Sequence, residues 1–403
     1  MKKINLHFYQ KLFESNPTFD QGVSSEVKEP YYNKIRDLFT ALYLIFKCFF
    51  LKKNKTLFFN HTQRVRKNSP LVRSSLYLNK AIFNKTDFYY IDQNIKKISH
   101  YNGPKAILDI ATIDRLVSIL LIPERIFNKF KNKKKQKSEL FFYYSFYVWL
   151  FILKRLKPKK IIMIVWYAYQ PIICAAKELS IPVIDLQHGI IYSEHEFYNL
   201  KKNNLIDSNN TLPDECWVYG NYWKEQLIKA GWNENKIKVF GYYLNLPQKE
   251  KVDTLFPYIL YTTSCTENKK EVLNHINSII HEVKRRGLKI IIAPHPHENL
   301  NNYKDMLSDI VMLSDKDSYD LLKSCEVHIS AFSTLLWEGL YFGKPTYILA
   351  YDIYKDHFSI LTDLIKNNIA KKITENEFPE IYESKNNIKI QDYFCLPKKE
   401  LLH

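Results

Sequence analysis

The chain has 403 residues, more than a single core usually organises, so two domains are expected. A hydrophobic content of 46% with 15% aromatics excludes wholesale disorder and permits sizeable cores. Lys plus Arg exceed Asp plus Glu by 59 to 42, a net charge of +17, which favours an anionic partner: nucleic acid, anionic lipid or a phosphorylated substrate.

Cys48, Cys174, Cys216, Cys265, Cys325 and Cys395 are scattered without CxxC or Cys/His spacing, which argues for a reducing compartment and against structural zinc. Met1-Lys2-Lys3 leads into a polar, aromatic stretch with no apolar signal core, so a cytoplasmic protein is expected. Two apolar segments, residues 38–51 and 140–153, fall short of the roughly 18 residues that span a bilayer and read as buried or interfacial helices. Basic clusters flank them: Lys52-Lys53-Asn54-Lys55, the run from Lys129 to Lys137, and Lys154 to Lys160. Lysines beside an aromatic face suit an anionic membrane surface, so peripheral attachment at the inner face of the cell membrane is expected.

In chain order, residues 56–62 read as a first strand with a polar end, and residues 87–92 as a second. Helices are expected between residues 110 and 156, interrupted by the lysine run. Residues 161–166 form a buried strand, Gln170 to Glu178 a helix with Pro171 in its first turn, and residues 181–187 the next strand. That strand ends at His188-Gly189, where the glycine lets the backbone turn and project the imidazole. An aromatic loop with Glu194 and Glu196 follows. Residues 214–220 and 236–241 are further strands around a helix at residues 222–230. The proposed organisation is a first Rossmann-like domain over 1–245, a second over 254–365, and a tail over 366–403 returning to the first domain.

The second domain opens with a strand at residues 258–264 ending in Thr263 and Ser264, which either contact a phosphate or cap the helix over 268–286. Lys289-Ile290-Ile291-Ile292-Ala293 is a strand broken by Pro294-His295-Pro296-His297-Glu298. Glu326 to Ile329 is another strand, running into Ser333-Thr334, a helix, Gly343-Lys344-Pro345 and a strand at residues 346–349. Hydroxyls and amides at such a strand-to-helix turn favour a phosphate, to which His295 can add a donor or a positive charge. Glu338, in apolar company within the helix, can accept the two hydroxyls of a ribose. Asp315-Lys316-Asp317 has the form of a metal-binding DxD but reads better as a helix cap, so no metal and no other cofactor is expected.

His295-Pro296, Ser333-Thr334 and Glu338, in that order, resemble the donor half of GT-B glycosyltransferases. The likeness is to those using CMP- or CDP-linked donors: capsule sialyl- and Kdo-transferases and the CDP-glycerol polymerases of teichoic acid synthesis. It covers about residues 170 to 350 and implies an α/β fold of two Rossmann-like domains facing across a cleft. His188-Gly189 is similar to the pair those polymerases use as a base in a Trp-His-Gly-Thr context, with Gln187 here in place of the Trp and Ile190 in place of the Thr. The base therefore stays open between His188, Glu194 and Glu196. The resemblance implies an inverting, metal-independent glycosyltransferase of surface polysaccharide synthesis, moving a sugar from a nucleotide-sugar donor, with CMP-linked donors favoured, to a lipid-linked or oligosaccharide acceptor. Because Glu338 also looks like the ribose-binding Glu of UDP- and GDP-sugar enzymes, a UDP-sugar-dependent transferase or a nucleotide-sugar epimerase of the same fold is the alternative. A non-catalytic basic binding protein is the reading from another class. Nucleic acid is not an expected partner, since the aromatics lie in apolar runs rather than among the basic residues.

Overall fold

The structure, a computed structural model, describes residues 31–60, 88–92, 107–122, 137–202, 205, 211–242, 256–263, 269–295, 298, 300–314, 316, 318–381, 390–396 and 398–402. Ser264, Pro296, Asp315, Asp317 and residues 129–136 of the lysine run lie outside them.

The first half contributes strands β1 (Thr56–Asn60), β2 (Phe88–Asp92), β3 (Leu108–Asp109), β4 (Ile161–Met163), β5 (Val183–Leu186), β6 (Glu215–Val218) and β7 (Ile237–Val239). Its helices are α1 (Tyr31–Lys47), α2 (Ile110–Leu120), α3 (Lys137–Leu156), α4 (Gln170–Glu178) and α5 (Asn221–Lys229). All seven strands are parallel, in the order β3-β2-β1-β4-β5-β6-β7. The second half supplies β8 (Tyr258–Thr262), β9 (Lys289–Ala293), β10 (Val311–Leu313), β11 (Val327–Ser330), β12 (Thr346–Leu349) and β13 (Lys371–Ile373). With them run α6 (Lys269–Arg285), α7 (Ser318–Ser324), α8 (Leu335–Tyr341), α9 (Tyr351–Tyr354), α10 (Ile360–Lys366) and α11 (Ile390–Tyr393). This sheet is also parallel, ordered β10-β9-β8-β11-β12-β13. Renumbered from its own first strand, that order is 3-2-1-4-5-6, the doubly wound pattern, and the first sheet extends the same pattern by one strand.

A parallel sheet is covered on both faces, so its strands read as apolar runs whose alternate side chains enter two different cores. In the second sheet Ile259, Tyr261, Ile290 and Ile292 meet Val272, Ile276, Ile279 and Val283 of α6. Their neighbours Tyr258, Leu260, Ile291 and Ala293 point the other way, to Leu321, Leu322 and Leu335. The buried positions of α6, at i, i+4, i+7 and i+11, form one stripe of a 3.6-residue period. Each fully buried Ile or Leu contributes about 1.5–3 kcal/mol over an exposed one, which fixes register because a one-residue slip would exchange the two faces.

The largest core joins the halves. Trp223 of α5 and Trp337 of α8 stand with ring centroids 5.8 Å apart, and Leu336, Leu340, Leu361 and Leu364 complete the same cluster. Residues 392–396 and Lys398 lie along the carboxyl ends of β6 and β7. Cys395 N–H donates to Tyr219 O (3.0 Å), Tyr242 N–H to Cys395 O (2.8 Å), Lys398 N–H to Phe240 O (2.7 Å), and Trp223 Nε1 to Tyr393 O (2.8 Å). The strands can take this segment because two residues beside it lack a Cβ. A Cβ on Gly220 would lie under 3.0 Å from the Asp392 and Tyr393 backbone, and one on Gly241 as close to the Leu396 carbonyl. Gly241 also has φ +104°, outside the range of ordinary L residues. Gly220→Ala and Gly241→Ala are each expected to destabilise by about 2 kcal/mol or more, and to open the tail to protease before the sheets unfold. Urea titration with limited proteolysis checks this; a wild-type midpoint would show that the segment is loosely held.

Candidate functional site

In the second sheet the chain leaves β8 and its neighbour β11 towards opposite sides, so the crevice for a ligand opens at their carboxyl ends. Register brings Thr262, Ala293 and Ser330 abreast there. Ser330 Oγ donates to Thr262 O at 2.7 Å and ties the two ends together. Thr263, which follows β8, is buried, and Glu298 beyond β9 bonds to it. Glu298 Oε2 accepts from His295 N–H (2.7 Å) and from the Thr263 hydroxyl, while Tyr303 OH donates to Oε1 (3.0 Å). A carboxylate receiving this many donors locks the turn that carries His295. The Thr263 hydroxyl is thereby committed to a negatively charged neighbour, so a phosphate would have to displace Glu298 to use it.

The turn after β11 leads into α8, which has only seven residues. Ser333 Oγ accepts from Leu335 N–H (3.2 Å), and Leu336 N–H bonds Ser333 O (3.1 Å), so the first amides of the helix are already used inside the turn. Thr334 sits at the cap in helical geometry with no side-chain capping bond. What remains to face an anion is the pair of hydroxyl protons and the N–H groups of Ser333 and Thr334, which make no bond among the described residues.

One turn on, Glu338 is 4% exposed. Its Oε1 accepts from Tyr242 OH (2.7 Å) and Tyr319 OH (2.9 Å), and its Oε2 is buried with no partner. Tyr242 follows β7 of the first sheet and Tyr319 lies on α7, so the carboxyl group joins segments of both halves. Gly339 is required beside it, because a Cβ there would press on the Thr346 side chain.

In the first sheet, Gln187 and His188 follow the end of β5. Gln187 is buried and bonded three ways: N–H to Trp217 O (2.9 Å), Nε2 to Gly189 O (2.8 Å), and Oε1 from Tyr219 N–H (2.8 Å). This clamp holds the peptide carrying His188, which is half-buried. The loop beyond reaches the other half: Tyr192 lies edge-on to Phe332 (6.5 Å) and Phe358 (6.3 Å), which stack on each other at 3.8 Å. Phe332 directly precedes Ser333, so the His188 loop touches the Ser333 turn. Glu194 is exposed and accepts from Ser359 Oγ at 2.6 Å. Burial would raise its pKa, but bonds from Ser359 and Ser193 outweigh that and hold it below the usual carboxylate range. Glu196 is exposed on the same loop.

Beside this loop, β4 stops at Met163, three residues before the expected end, because Val165 takes the left-handed region (φ 64°, ψ 57°) and starts a tight turn at Trp166–Ala168. A β-branched residue there is strained. Buried Asp185 supports the turn, accepting from Trp166 N–H (3.2 Å) and Tyr198 OH (2.7 Å). Burial pushes its pKa up to about 7, against the lowering effect of those two bonds. In the unfolded chain the carboxyl would lose its proton near 3.9. Between the two values the native state binds more protons, so stability is expected to fall as pH rises from about 4 to about 7 and to level off above, by up to about 4 kcal/mol. Asp185→Asn should flatten that slope in urea titrations across this range; an unchanged slope would assign it to other groups.

No family model matches the sequence, and no curated protein matches it. Solved structures do match along almost the whole chain. The UDP-GlcNAc 2-epimerase from Methanocaldococcus jannaschii is 14% identical with a TM-score of 0.51, over 86% of this chain and 98% of its own. The enzyme from Neisseria meningitidis, solved bound to UDP-GlcNAc, is 17% identical with a TM-score of 0.51 over the same shares. The fold is GT-B.

Within this GT-B frame the predicted residues fall into two groups. Thr263, His295, Ser333, Thr334 and Glu338 gather around the carboxyl ends of β8, β9 and β11. His188, Glu194 and Glu196 belong to the facing loop after β5. Sequence reasoning missed Glu298, Gln187, Tyr242 and Tyr319. Glu298 carried a signal, a carboxylate three residues after His295 in a turn that needs its amides satisfied. Gln187 registered only as a departure from a motif. The two tyrosines carried none.

Proposed function

We propose that this chain is a nucleotide-sugar enzyme acting on a UDP-linked sugar, with inversion at C2 of the sugar as its leading activity. The observation that carries this is Glu338: a buried carboxyl with one oxygen held by two tyrosines and the other without a partner among the described residues, one helical turn beyond the N–H groups of Ser333 and Thr334, which make no bond among those residues either. A buried acceptor left unmade costs about 1–3 kcal/mol, and a ribose hydroxyl would satisfy it while the diphosphate meets the turn. Support for uridine comes from the relatives in fold, both UDP-GlcNAc 2-epimerases. The cytidine expectation rests on the order of the motifs and on the lack of a credible metal site in the sequence to offset a diphosphate's charge.

A C2 inversion needs a base to take the C2 proton while the C1–O bond to UDP breaks and the C–H electron pair forms a C1–C2 double bond, and an acid to return a proton to the other face as UDP adds back at C1; His188 and a carboxylate of its loop are the candidates. Glycosyl transfer is the second reading, favoured by the aromatic, basic first domain, which suits a lipid-linked acceptor. In that case His188 takes the acceptor proton.

UDP is expected to bind at least about tenfold more tightly than CMP or CDP, about 1.4 kcal/mol, by calorimetry with EDTA present. The reverse order would return the donor to a cytidine nucleotide. Incubation with UDP-GlcNAc in heavy water should place deuterium at C2 without any acceptor; release of UDP only when an acceptor is added would select transfer. No affinity for any nucleotide would leave the non-catalytic reading.

A further inference from the structure

We propose that the outer face of α1 and the turn after it dock on an anionic phospholipid bilayer, independently of the sugar chemistry. Helix α1 is apolar on two sides. Ala41, Leu44, Ile45 and Cys48 turn inwards and pack on the core of the first sheet. Phe39, Leu42, Tyr43 and Phe46 repeat the same spacing on the opposite side, and Phe49 and Phe50 continue the ridge. A helix apolar all round is normally buried all round, yet Phe39 is 66% exposed, Tyr43 63%, Phe46 60% and Phe50 74%. The ridge is ordered by its own contacts: Phe46 meets Phe50 edge-on at 5.1 Å, and Phe49 packs against Phe151 of α3 at 5.9 Å. A contiguous patch of this kind marks an interaction site.

Charge around the patch selects the occupant. Arg155 lies over the Phe49 ring at 5.2 Å. The turns carrying Lys52, Lys53 and Lys55 and carrying Lys157 and Lys159 are hydrogen-bonded to each other, Asn54 N–H to Lys157 O (3.1 Å) and Lys159 N–H to Lys55 O (3.1 Å). Residues 38–60 hold four Lys or Arg and residues 140–160 hold five, with no Asp or Glu in either. A second copy of this chain would bring nine like charges against nine, whereas a bilayer with anionic headgroups accepts the aromatics between its acyl chains and the lysines at its surface. No helix among the described residues is long and apolar enough to cross a membrane, so the contact is one of lying on the surface. The basic turns sit at the amino ends of β1 and β4, the edge opposite the carboxyl ends that carry the candidate site.

The test uses the full chain with vesicles of phosphatidylcholine, alone or mixed with phosphatidylglycerol. The chain should sediment with the mixed vesicles and release as salt is raised. A Tyr43→Ser, Phe46→Ser, Phe50→Ser variant should retain about a tenth of that binding or less, and Lys52→Gln with Lys53→Gln should narrow the preference for the anionic lipid. Phe50→Trp, which preserves the ridge if the triple variant fails to fold, should add an emission that shifts to the blue with mixed vesicles and is quenched by brominated lipid. A wild-type chain that stays in solution, a folded serine variant that pellets as the wild type does, or an emission from the Phe50→Trp variant indifferent to vesicles would overturn the proposal. So would a wild-type dimer that the serine substitutions split, by giving the face to a second copy.

Discussion

Glu338→Ala is expected to cost about 3 kcal/mol of stability and to abolish nucleotide binding. Truncation removes the Oε1 acceptor shared by the hydroxyls of Tyr242 and Tyr319, which stand 2.9 Å apart and can then bond only to each other, and it leaves a void where the carboxyl was. Because Tyr242 follows the last strand of the first sheet and Tyr319 lies on α7, the damage falls on the joint between the halves. Glu338→Gln separates stability from binding. The amide keeps the volume and one acceptor oxygen for the tyrosines, but places an NH₂ where Oε2 now lacks a partner. That variant should unfold within a few degrees of the wild type and bind UDP at least about tenfold more weakly. Calorimetry and thermal unfolding, run together, check both. Wild-type affinity in Glu338→Gln would make the carboxyl a structural tie and remove the ribose role from it.

The doubly wound architecture was legible because buried parallel strands announce themselves as β-branched runs. Ile290, Ile291 and Ile292 of β9 and Val327 to Ile329 of β11 could be placed on sight. Strands that lack this mark were not legible. β13 lies at the sheet edge with Lys371 and Lys372 exposed, and β3 has two residues. β4 was read too long because nothing local says that Val165 will adopt positive φ; that conformation is supported by Asp185, twenty residues on. The site shows the same division. Residues at strand ends could be proposed because the position itself is informative. Their partners were not, because Glu298 reaches Thr263 across 35 positions and Tyr242 reaches Glu338 across 96, and side-chain bonds at such distances leave no period in the sequence.

His188→Ala is expected to cut turnover by a factor of about 100 while leaving UDP affinity nearly unchanged, the signature of a group that acts on a proton in the transition state rather than holding the ground state. The placement argues for it: the residue follows β5 on the half that faces the candidate site, and its peptide is fixed by the three bonds of Gln187. Its rivals are held differently. Glu194 is tied to Ser359 across the two halves and kept below the usual carboxylate range by bonds from Ser359 and Ser193, so it makes a weak base at neutral pH. Gln187→Ala supplies the control. It should lower turnover through loss of orientation while leaving the pH dependence of the reaction in place, whereas removing His188 should abolish the limb of the pH profile that belongs to the imidazole. Near-wild-type turnover in a folded His188→Ala variant would move the proton transfer to Glu194 or Glu196, and Glu194→Gln and Glu196→Gln would then divide the role between them.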